Sequence, residues 1–226
     1  MRYISVLSTV VTFAFAAAVF SRYLRKRGTH LLLWSIGLAL YGLGTLTEAM
    51  MMFSFSPIAL KIWYLSGAML TAAWLGEGTV HLLVRRRNVA KTLTIVLALV
   101  SLAAVVLIAT APVSKGAAFD TSRPVSAQYR DILGRNGWII ALTIILNIYG
   151  SVTLIGGALY SVYIFWRKHI LVNRMIGNIL IAAGAMMPAL AGTLIKMGLA
   201  DWLYLSEFLG SVLMYLGFLE AVKGKD

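Results

Sequence analysis

The chain has 226 residues, 60% of them hydrophobic and only 12% charged, with a formal net charge of +12. That apolar content exceeds what a soluble core of this length can bury, and it places the chain among integral membrane proteins. The basic residues fall in short clusters between apolar runs and form no continuous polar face, which argues against a nucleic-acid-binding protein; the lack of cysteine excludes disulfides, thiol catalysis and cysteine metal sites.

Seven apolar segments follow one another, at about 3–22, 30–53, 58–84, 90–112, 137–166, 173–197 and 202–222. Each is long enough to cross a bilayer as a helix, which takes roughly 20 apolar residues, and none alternates like a barrel strand. The predicted fold is all-α: one domain over residues 1–226, an integral membrane bundle of seven transmembrane helices. The first segment resembles a signal peptide in its Ala16-Ala17-Ala18, but only Arg2 precedes it, while Arg22, Arg25, Lys26 and Arg27 follow it. That order predicts a retained first helix. Counted over the loops, one side holds 13 Lys and Arg and the other 7. The richer side is expected to be cytoplasmic, which puts the N-terminus outside, the C-terminus inside and the bundle in a bacterial cytoplasmic membrane.

The second segment carries Trp34, Tyr41, Gly42, Gly44 and Glu48, and ends in the turn Ser54-Phe55-Ser56-Pro57. The third carries Lys61, Trp63, Tyr64, Trp74, Glu77 and His81 before the basic stop Arg85-Arg86-Arg87. An external loop at about 113–136 is polar, contains Pro124, and reads equally as a lid or a tether. In the fifth segment Asn147 sits near mid-span, and Gly156, Gly157 and Ser161 read as close-packing positions, as do Gly42 and Gly44. Met50-Met51-Met52 and Met186-Met187 read as adaptable packing. In the sixth, Pro188 lacks a donor and its ring meets the carbonyl of Gly184, which predicts a kink. The seventh opens with Asp201, Trp202, Tyr204 and Glu207.

Two groups of polar residues stand out. Glu48 and Glu207 lie one to two turns inside the outer ends of their segments, and an acid at that depth needs a partner or water. Lys61 and Lys196 lie at similar depth, with Tyr41, Tyr64 and Trp74 below. The expectation is a ligand-binding pocket open to the outside and lined by Glu48, Glu207, Lys61, Lys196, Tyr41, Tyr64, Trp74 and Asn147. The competing reading makes the lysines, Asp201, Trp138 and Trp202 a snorkelling and aromatic belt, and makes Asn147 a hydrogen-bonding link between helices. Glu77 and His81, at i and i+4, share one helix face and form an intramembrane acid/base pair, either structural or engaged with a ligand or proton. His30 and His169 end at the same level. Metal or b-type haem ligation by the three histidines is weighed against helix-end capping, which the adjoining basic clusters favour. No catalytic residue and no metal are assigned. The cofactor is unknown; a retinal Schiff base needs a lysine inside the seventh helix, and that segment has none. Gly-rich phosphate loops, HExxH and the paired proline-glutamine motif of sugar-transporting seven-helix proteins are missing too.

Arg25-Lys26-Arg27 after the first segment, Trp34 with Glu48 in the second, Trp63-Tyr64 and Trp74 before Arg85-Arg86-Arg87 in the third, and the short sixth-to-seventh loop together form a pattern. It resembles the seven-helix sensor module at the N-terminus of some bacterial histidine kinases. The resemblance implies a non-enzymatic, receptor-like bundle that binds a small or lipid-like ligand. With only six residues after Glu220, its output would pass through a cytoplasmic partner or a second copy of the chain. The alternatives are a small-molecule transporter, a haem or quinone carrier, and a membrane enzyme using Glu77 and His81. The partners implied are the lipid bilayer and a ligand, with no nucleic acid.

Overall fold

A computed structural model describes residues 2–84, 86–114, 119–168, 172–196 and 201–223, with backbone alone at 2, 3, 87, 168, 189–196 and 201. The described chain is helical, with one isolated β-bridge between Val113 and Leu133. Helix α1 spans Arg2–Lys26 and α2 Thr29–Met51. Helix α3, Pro57–Trp63, runs through a π-helical segment, Tyr64–Leu70, into α4, Thr71–Leu83. Then come α5 (Arg87–Thr110), α6 (Val125–Ile132), α7 (Gly137–Lys168), α8 (Val172–Lys196) and α9 (Asp201–Lys223). Local chemistry sets several of these ends. Arg27, at φ 52°, breaks α1 from α2. Ser56 caps α3, its hydroxyl accepting from the Ala59 amide at 3.3 Å with Pro57 in the first turn. Asn136 starts α7 by accepting from the Ile139 amide at 2.9 Å.

Six helical stretches are long and apolar enough to cross a membrane: Ile4–Lys26, Thr29–Met51, Pro57–Leu83, Asn88–Thr110, Gly137–Arg167 and Trp202–Lys223. Their outward faces are apolar. On α5, Ile95, Leu99, Leu102 and Val106 are exposed at helical spacing, and on α7 Ile144, Ile145, Ile148 and Val152. Such stripes are costly in water and suited to hydrocarbon.

The packing forms a ring. Helix α1 lies against α2 and α9, α2 against α3 and α4, α4 against α7, α7 against α8, and α8 against α9, while α5 packs outside on α4 and α7. The closest seam is α8 against α9. A Cβ placed on Gly177 would come within 2.5 Å of the Gly217 carbonyl oxygen, and one on Gly184 within 2.7 Å of that of Gly210. Two heptad-spaced glycine pairs thus let the backbones touch. Gly44 and Gly157 are close-packing positions as well, opposite Gly67 and Thr79. Gly156 is not: a Cβ there would meet nothing within 4 Å, because that face of α7 points away from the ring. Met51 and Met52 are buried, whereas Met50 and Met186 are exposed. Pro188 sits within an uninterrupted α8.

Candidate functional site

Helical spacing brings the lining of one cavity together. On α2, Tyr41, Thr45 and Glu48 share a face; on α3 to α4, Trp63, Gly67 and Thr71; on α7, Asn147, Ser151 and Leu154; on α9, Glu207 and Met214. With Ala185 and Pro188 of α8, these residues surround a cavity of about 420 Å³, within the range of small-molecule sites. Ser126, Ala127, Tyr129 and Arg130 of α6 line it from the connecting segment.

Two carboxyl groups dominate its chemistry. Glu48 is 1% exposed. Its side chain is in hydrogen-bonding contact with those of Glu207 and Trp63. Yet Glu48 Oε1 and Glu207 Oε2 are both buried without a hydrogen-bond partner. The Tyr41 hydroxyl donates to the backbone carbonyl of Glu207 at 3.0 Å, so its hydrogen serves neither carboxyl. Two bare carboxylates offer acceptors only. Neither carboxylate can supply the donor that the other lacks, so a donor from outside the pair is what both oxygens call for.

The other residues expected in the pocket are placed as follows. Asn147 lines the cavity, and both hydrogens of its amide are used on backbone, to Ala68 O at 2.8 Å and Thr143 O at 2.9 Å. Lys61 is elsewhere: its long stem carries Nζ to the Ala109 carbonyl, at 2.7 Å, on the α5 side. Trp74 also faces α5, donating to Ser101 Oγ at 3.2 Å. Tyr64 is fully buried behind the wall, with its hydroxyl 3.0 Å from Thr143 Oγ1. The side chain of Lys196 lies outside the described residues.

Two parts of the site are not legible as such in the sequence. The first is the π-helical segment, whose wider turn leaves the Ala68 carbonyl for Asn147 and has Thr71 Oγ1 reach back to Ser66 O at 2.8 Å. Such segments recur at functional sites. The second is α6. Gln128, 6% exposed, knits its loop: Nε2 donates to Asp120 O at 2.9 Å and Arg123 O at 3.0 Å, and Oε1 accepts from the Asp120 amide at 3.0 Å. Tyr129 docks between Trp63 and Tyr64, ring centroids 5.3 and 5.5 Å away, and the Arg135 guanidinium stands 4.8 Å over its ring. A Gln two positions before an Arg in a polar loop was the available signal, and it is too common to carry weight alone.

The second polar group lies apart from this cavity. Glu77 is fully buried and accepts from the Tyr149 hydroxyl and, at 2.7 Å, from Thr94 Oγ1. His81 Nε2 is 2.7 Å from Thr94 Oγ1 and 3.5 Å from Glu77 Oε1. Thr94 Oγ1 has one hydrogen to place among His81 Nε2, Glu77 Oε1 and the Ala90 carbonyl, all within 3.0 Å of it. His30 packs edge-on against Trp34 at 5.3 Å, and His169 lies outside the described residues, so no three-histidine grouping is assembled among them.

No protein-family model matches the chain, and no curated protein or solved structure matches it.

Proposed function

We propose that the chain is a receptor-like membrane protein of seven spans that binds a small ligand in the α6-capped cavity and signals through a cytoplasmic partner or a second copy. Six helices meet the length and hydropathy of a membrane span, and α8, 25 residues long and seated between two of them, supplies the seventh. The bias of 13 basic residues against 7 orients it with the N-terminus and α6 outside, in a bacterial cytoplasmic membrane. The histidine-kinase sensor resemblance agrees with that layout. One observation carries the reading: a cavity of about 420 Å³ holds a deeply buried acid with an unpartnered oxygen. Buried polar atoms are normally hydrogen-bonded, and a ligand or its water supplies the missing partner.

The cysteine-free chain gives a clean test. Thr45→Cys and Ala127→Cys, reconstituted in sealed vesicles, are expected to react with a membrane-impermeant thiol reagent added from the outside. Protection of both from that side, with labelling only after the bilayer is opened, would count against an outward-facing pocket.

A transporter is the second reading, and one feature favours it. The π-helical segment borders the cavity, and irregular helices at a binding site are the transporter pattern. Uptake of a bound probe into vesicles separates the two.

A further inference from the structure

We infer, on the footing that the cavity is a ligand site, that its occupant is a small organic cation. An ammonium group carried on an apolar body would be taken by Glu48 and Glu207 in exchange for a proton held between them.

The inference starts from the two unpartnered oxygens, Glu48 Oε1 and Glu207 Oε2. An ammonium brings donors only, up to three of them, and so meets what these atoms lack. An anion would face acceptors. Charge is conserved as well. The pair with one proton carries one negative charge; two carboxylates with one bound ammonium carry one negative charge too. The released proton leaves to solvent, so the exchange brings no net charge into a low-dielectric site, where an uncompensated ion is costly. One described cation, Arg130 of α6, lines the cavity, at an exposed position. Lys61 is held at Ala109, Arg135 stands over Tyr129, and Arg130 lies at the solvent-facing edge beside the same ring. The side chains of Lys196 and Asp201 lie outside the described residues. Tyr41 gives its hydrogen to the Glu207 backbone. Trp63 and Tyr41 add aromatic wall beside the acids, which favours a cation further.

The test uses the full chain in lipid nanodiscs with three probes of similar shape: 2-phenylethylamine, 2-phenylethanol and phenylacetate. The amine is expected to bind at least tenfold more tightly than the other two. Calorimetry in buffers of different ionisation enthalpy should show about one proton released per amine bound. Between about pH 6 and 8, where an alkylammonium stays charged, affinity should rise by up to about tenfold per pH unit. Glu48→Gln and Glu207→Gln, each checked for an unchanged melting profile, should weaken amine binding at least tenfold and abolish proton release. The inference falls if the alcohol or the carboxylate binds as well as the amine, if no proton is released, or if both variants bind the amine normally. If no probe binds while Thr45→Cys is labelled from outside, the cation assignment fails and the pocket stands. If no probe binds and that cysteine is unreachable, the pocket reading fails with it.

Discussion

Two buried glutamates in one bundle have opposite surroundings. Glu77 is enclosed by Tyr149, Thr94 and His81, drawn from α7, α5 and its own helix. Glu48 is just as buried, yet has an oxygen with no partner, meets a second acid, and borders a cavity. A satisfied buried charge holds helices together, and removing it strands its partners. An unsatisfied one is a standing cost, which function must explain. On the proposed reading the contrast gives stability to one acid and ligand binding to the other.

The largest expected effect tests that assignment directly. Glu77→Ala leaves the Tyr149 and Thr94 hydroxyls and the His81 ring facing an emptied site and should cost about 2–4 kcal/mol, read as a lowered melting temperature in detergent. Glu48→Ala strands far less and should cost under about 1 kcal/mol; equal losses would erase the distinction. Gly184→Val comes next. A Cβ there meets the Gly210 carbonyl at 2.7 Å, so α8 and α9 must part, at about 1–3 kcal/mol. The variant should raise thiol labelling at Thr45→Cys while leaving labelling near Glu77 unchanged, which sharpens the separation of the two sites. Tyr149→Phe removes one donor from Glu77 and should cost about 1 kcal/mol; a neutral result would mean that Thr94 and His81 suffice. Glu48→Gln should be the smallest, within about 0.5 kcal/mol of the unaltered protein by the same melts. A large loss there would make Glu48 a structural acid.

How much of this the sequence carried follows from what helical periodicity encodes. Period and hydropathy located the seven long helices to within a few residues and did not mark α6; depth along a segment singled out Glu48 and Glu207 as acids needing company. Spacing of four paired Glu77 with His81. Periodicity does not say which distant helix a polar group meets. Tyr149 and Thr94 therefore could not be joined to Glu77, and Lys61, at the right depth, turns out to face Ala109. The π-helical segment is set by bonds across the fold, such as Asn147 to Ala68, and a one-residue change of helical register leaves no mark in composition. The folding of α6 over the cavity depends on Gln128 meeting three carbonyls of its own loop, an arrangement that backbone geometry creates and residue type alone does not announce.

The glycine seam between α8 and α9 has a mechanical consequence. Close backbone approach at two levels, Gly177 with Gly217 and Gly184 with Gly210, leaves little room between α8 and α9, so the two helices form a stiff beam carrying Glu207 near one end and Lys223 at the other. At 1.5 Å per residue the arm from Glu207 to Lys223 is about 24 Å, and a tilt of about 5° about the Glu207 end would sweep Lys223 through ~2 Å. Events at the acid pair thus have a built-in lever to the far face of the bundle.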